Sequence, residues 1–274
     1  MILPGGLWQS GERQRQFAFK PLTGAVELAL AEASLEARSR PEAVTAVLTA
    51  ALLSLGNLTP TPERVEALSV GDRQFLGQQL AVWLGQGKVW MTAQCRRCGE
   101  PFDFPIHFYE LPVKEAGSEY PFAQVTTSLG KACWRVPTGA DQRALARRTA
   151  GENGTRFLVE RCLVNIPDLD VKDDTGPWLA RLSDSDVHQV EAALEAVAPE
   201  VTTAVRVACL ACGQDHRLEI DPYLGLRHLG TEITAEVHLI ASVYHWSEAE
   251  ILALPRARRQ RYLQLIDRSR GLVG

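Results

Sequence analysis

At 274 residues, with 46% hydrophobic and 23% charged residues, the chain has an ordinary globular composition and can bury one large core or two modest ones. A net charge of −4 argues against nucleic-acid binding by the chain as a whole. No apolar run nears the ~20 residues that cross a bilayer. The opening MILPGGLWQSGERQRQF has no charged region leading into an apolar core, so no signal peptide is expected and the expected location is cytoplasmic.

Residues 1–16 read as an N-terminal arm. FAFKPLTG, residues 17–24, then predicts a short strand ending in a turn, with Thr23 placed to cap a helix over VELALAEASLEAR. PEAVTAVLTAALLSLG, residues 41–56, predicts a second helix. Ser69 with Asp72 marks the start of a third, close to a capping box with aspartate in place of glutamate, and capping is the whole role expected of this aspartate. KVWMTAQC then reads as a strand, Cys95-x-x-Cys98-Gly99 as a tight turn, and PFDFPIHF as a returning strand of alternating polarity.

The pattern is then written again. At a shift of 114 residues Asp72 falls on Asp186, Cys95 on Cys209, Cys98 on Cys212, Gly99 on Gly213 and Ile106 on Ile220, without a gap. Upstream, ACWRVPTG, DQRALARRTA and NGTRFLVERCLVNI follow the order of the first half, with Thr138 and Ser183 as the equivalent caps. Residues 17–112 and 131–226 therefore read as two copies of one unit, joined by a linker over 113–130. Residues 227–274 read as a helical tail. In it Thr231 is placed to cap TEITAEVHLIASVYHW, Ser247 and Glu250 form a capping box, and Pro255 opens a final helix.

Strand, cysteine turn, strand is half of a zinc ribbon. Structural zinc takes four ligands, most often cysteine thiolates, so one Cys-x-x-Cys pair needs a second. Two equivalent units packed about a pseudo-two-fold axis would supply it. The expected ligands are Cys95, Cys98, Cys209 and Cys212, holding one structural zinc with no open position. The expected fold class is α+β, mainly α: two tandem repeats of strand, helices and knuckle hairpin around a shared site, plus the C-terminal helical segment. Three alternatives stand beside this site: a thioredoxin-like redox pair, cysteines without metal, and a ligand set that includes His216, four residues after Cys212. Cys133 and Cys162 stand alone in apolar surroundings and read as core residues.

Six arginines lie between Arg256 and Arg270. A solvated face or an acidic protein partner suits them, and nucleic acid through this arginine-rich helix is the alternative. Tyr244, Trp246, Arg258, Arg259 and Tyr262 offer partner-binding anchors, and the alternative is that the apolar and aromatic stripe of the tail closes the core of the two units. No glycine-rich phosphate loop, G-x-S-x-G or H-E-x-x-H is present, so neither catalysis nor a small-molecule substrate is expected.

LPGG near the start, FAFKPLTG, DRQFL ahead of the first knuckle, C-x-x-C-G and YHWSEAEILALPRARRQRYLQLI together resemble proteins of T4-type phage tail and contractile injection system gene clusters. Those are described as baseplate or baseplate-hub assembly proteins. The resemblance implies a non-catalytic part in building a contractile tail, as an assembly chaperone or a baseplate component. Its partners would be baseplate, hub or tail proteins, with no membrane.

Overall fold

The computed structural model describes residues 1–9, 11–148, 153–166, 176–226 and 232–271. Among these the chain is a mixture of helices and several small sheets. A hairpin of β1 (Ile2–Gln9) and β2 (Glu12–Phe19) leads into α1 (Gly24–Leu35), α2 (Arg40–Ala51), β3 (Leu52–Leu55), α3 (Pro62–Glu66) and α4 (Val70–Trp83). A second hairpin follows, β4 (Lys88–Gln94) and β5 (Pro101–His107). After the short β6 (Val113–Lys114) come β7 (Phe122–Thr127), β8 (Gly130–Arg135), α5 (Gly139–Ala146), α6 (Gly154–Cys162), β9 (Leu163–Asn165), α7 (Gly176–Ala180) and α8 (Asp184–Val197). β10 (Glu200–Val201) precedes a last hairpin, β11 (Ala204–Ala208) and β12 (Asp215–Glu219), and the tail folds as α9 (Ile233–Tyr244), α10 (Glu248–Leu252) and α11 (Arg256–Ser269).

The sheets run β1-β2-β3 and β7-β8-β9, each packed on helices, and the two knuckle hairpins are separate two-stranded sheets. Each long segment thus reads hairpin, helix, helix, strand, short helix, long helix, hairpin.

Several caps stand where the residues place them. The Ser69 hydroxyl accepts the Asp72 N–H at 3.1 Å, and Ser183 forms a full capping box with Asp186. Thr138 does so with Asp141, and Ser247 with Glu250. Asp72 does more than cap. Its carboxylate also accepts the Gly5 and Gly6 N–H groups at 2.7 and 2.9 Å and the Tyr120 hydroxyl at 3.3 Å, and burial pushes its pKa up.

Four expectations change. Residues 1–16 are not an arm: β1 pairs with β2, and Leu3 and Leu7 are buried in the first core. Residues 113–130 are not a bare linker, because β6 pairs with β10, and β7 pairs with β8 to build the second sheet. The second helix of each segment ends early, at Ala51 and Cys162. Its last residues become β3 and β9, because the open edges of β2 and β8 need partners for their backbone groups. Asp72 is the fourth, as above. Thr231 lies outside the described residues. Cys133 and Cys162 are buried as expected, and burial pushes the Cys162 thiol up to about 12.

The halves are stitched at a recurring junction. Gly139 donates to the Leu68 carbonyl at 3.2 Å, and Val70 donates to that of Pro137 at 3.1 Å. The same exchange ties α1 to the tail: Gly24 donates to Leu254 at 3.2 Å, and Arg256 to Leu22 at 3.3 Å. A fully buried arginine lies under each helix start. Arg73 sits against Gly139 and donates to Gln142 at 3.3 Å. Arg259 sits beneath Gly24 and pairs with Glu27 at 2.7 Å and Glu236 at 2.9 Å.

Candidate metal centre

The two knuckles are built alike. In the first, Cys95 donates to the Glu100 carbonyl at 3.0 Å and Gly99 to that of Cys95 at 3.0 Å. In the second, Cys209 donates to Gln214 and Gly213 to Cys209, both at 2.9 Å. Gly99 and Gly213 close these turns with φ of 77° and 69°, a region where a Cβ costs roughly 1–2 kcal/mol. Seven residue pairs in register hold β4 to β5, and five hold β11 to β12.

The inner faces of the two hairpins share one apolar core. Phe102, Phe104 and Ile106 of β5 lie in it with Val205, Val207 and Leu218 of the other hairpin. Burying these faces against each other brings the knuckles together. All four sulfurs, of Cys95, Cys98, Cys209 and Cys212, lie within 4.8 Å of one another. The Cys95 and Cys212 sulfurs are 3.6 Å apart, and those of Cys98 and Cys209 are 3.8 Å apart.

These distances fit one tetrahedral ion. A metal–sulfur bond of ~2.3 Å gives a sulfur–sulfur edge of about 3.8 Å. They are too long for disulfide bonds, whose sulfurs stand about 2 Å apart. The four cysteines can therefore hold one metal ion, and all four corners come from the chain. Both Cys-x-x-Cys pairs join antiparallel strands, whereas a thioredoxin-like pair needs a helix start. His216 is placed behind the ligands: its Nε2 lies 3.3 Å from the Cys95 sulfur, and its ring packs on Phe102 at 5.6 Å.

The thiols are electrostatically unlike. The Cys98 backbone N–H favours the Cys95 thiolate against burial, and the Arg97 N–H and His216 help, so Cys95 falls to about 5. Cys98 goes up to about 12: the Glu100 N–H favours its thiolate, but burial and the three neighbouring thiols outweigh it. Four negative sulfurs need a positive ion among them, the condition a thiolate-bound metal meets.

The proposed partner anchors of the tail separate. Tyr244, Trp246 and Tyr262 form a mutual aromatic cluster, with centroids 4.9 to 5.4 Å apart, and pack on Ile240, Ile251 and Ile266. Arg258 is exposed. Arg259 is not an anchor: its side chain is 0% exposed and its charge is spent on Glu27 and Glu236. Arg256 also turns inward, to Glu27 at 3.2 Å. Of the six tail arginines, two are internal ties.

Compared with protein-family models, curated proteins and solved structures, the chain matches none. Among the described residues no helix is long and apolar enough to cross a membrane.

Proposed function

We propose that the chain is a non-enzymatic zinc protein made of two copies of one unit, whose knuckles share a single structural zinc on a pseudo-two-fold axis. It acts through protein contacts in assembling or forming the baseplate of a phage-like contractile particle, with baseplate, hub or tail proteins as partners.

The observation that carries the reading is the convergence of thiols that stand 111 and 117 residues apart along the chain. Exchanging the two copies turns the Cys95–Cys212 contact into the Cys209–Cys98 contact, as a two-fold axis requires. The shared order of elements supports the same exchange. A site with four protein ligands leaves no position for substrate and so serves structure. The contractile-particle role is supported by the motif resemblance of the sequence.

Metal analysis of the purified chain is expected to give one zinc, lost in Cys95→Ser and in Cys209→Ser. Two zincs per chain, or none, would overturn the shared site. The purified protein is also expected to bind a baseplate or hub protein encoded beside it. Failure against every such neighbour, or tight binding to duplex DNA instead, would overturn the assembly role.

A further inference from the structure

An open groove of about 200 Å³ runs between α6 and α8, floored by Leu158, Val159, Leu194 and Ala198 and rimmed by Glu191 and Glu195. In the first half, the helices α2 and α4 hold the corresponding site. There Tyr223 and Leu226 pack into the core beside Val44, and the Tyr223 ring touches Gly77. At the shift of 114, Leu158 stands for Val44 and Glu191 for Gly77. Among the described residues no side chain fills the second groove, and neither rim glutamate has an ion-pair partner.

α11 presents the complement. Arg258, Arg261, Leu265 and Arg268 recur at i, i+3, i+7 and i+10, so they share one face of the helix. All four are exposed, Leu265 by 42%, and the three arginines have no carboxylate partner among the described residues. An apolar side chain ringed by unpaired cations matches an apolar groove rimmed by unpaired anions. A phosphate backbone would match the arginines and leave Leu265 in water.

We propose that the groove between α6 and α8 receives α11 of a second copy of this chain. Leu265 fills the floor, while the arginines meet Glu191 and Glu195, a helix-in-groove contact. Leucine-to-alanine truncation leaves a cavity of about 150 Å³, so the groove has room for one such side chain. The contact is head-to-tail, because α11 and the groove are different surfaces. It builds closed rings or open filaments, not only dimers. The charge and apolar pattern carry it whether or not the baseplate role holds.

The test is sedimentation of the full, metal-loaded chain at low salt and tens of micromolar. The wild type is expected to exceed the 30.2 kDa monomer and to shift toward it at high salt. A helix variant (Arg258→Ala, Arg261→Ala, Leu265→Ser) and a groove variant (Glu191→Ala, Glu195→Ala) are each expected to sediment as monomers. Arg258, Arg261, Leu265 and Glu195 are exposed and Glu191 is half-buried, and circular dichroism checks the fold of each variant. Mixed together, the variants retain one intact helix face and one intact groove, so they are expected to form a 1:1 dimer and stop there. A monomeric wild type, assembly unchanged in either variant, or no heterodimer on mixing overturns the proposal. So does low-salt duplex DNA binding that the helix arginines support and Leu265→Ser leaves unchanged, since it would assign the face to phosphate.

Discussion

Phe102 and His216 stand at the same distance from their cysteine pairs, yet only the histidine can donate a hydrogen bond to sulfur. Their rings pack together at the site, and the imidazole reaches Cys95. Partners behind a metal's ligands typically change affinity ten- to a hundredfold. His216→Phe is therefore expected to keep one metal per chain and bind it about tenfold more weakly in a competitive chelator titration. Unchanged affinity would show the contact to be idle. Asp141 is a second residue with a measurable role. Burial opposes its ionisation, but Arg135 at 2.6 Å and the Thr138 N–H and hydroxyl hold it at about 2. Its folded pKa lies below the ordinary 3.8, so its stabilisation is complete above about pH 4 and lost as pH falls through 2. Asp141→Asn should flatten the urea-stability profile across that window. The cysteines, His216 and the capping aspartate were legible as residue types. What each carboxylate binds was less so: Asp141 takes Arg135 and Arg161 within 20 residues, but Asp72 takes Gly5, Gly6 and Tyr120 from 48 to 67 residues away.

Helix starts were the most legible elements, since a cap involves residues three apart and needs no knowledge of the rest of the chain. Thr23, Ser69, Thr138, Ser183 and Ser247 all accept a local N–H or close a capping box. Strands were less so. β3 and β9 continue the apolar composition of the helices before them, and only the waiting edge of a distant hairpin decides their state. The inward turn of Arg259 has the same cause, because its acid Glu27 lies 232 residues away. Arg73 and Arg259 act as equivalent bolts under the starts of α5 and α1. Removing one charge from a buried group of charges leaves the others uncompensated, at a cost of about 3 kcal/mol. Arg259→Ala is expected to lose that much in urea unfolding and to speed amide exchange in α9 and α11. Slow exchange there, with stability kept, would show the tail to be held by its apolar contacts alone.

At the scale of the molecule, separate apolar cores serve the two long segments, and a third, shared core lies under the cysteines. The two Cys-x-x-Cys-Gly turns of the sequence anticipated that four cysteines would meet at one site. It did not anticipate the stitching at Leu68 and Leu254, because those exchanges are made by backbone groups that leave no mark on residue type. Strong chelation is expected to loosen the hairpins while the first two cores persist. Helical circular dichroism should then stay near its metal-loaded level while the thermal transition broadens and moves down. One sharp transition at an unchanged midpoint would show the ion to be dispensable.

Both cysteine pairs belong to a single polypeptide, and that decides how the centre responds to dilution. Two separate subunits sharing an ion would part as they thin out, and their metal would leave with them. Here the connecting chain keeps each pair at a fixed effective concentration near the other, for a closure entropy that grows only slowly with its length. At a fixed free-metal concentration, occupancy should accordingly be the same at nanomolar protein as at micromolar, so the first few molecules made in a cell can already be closed.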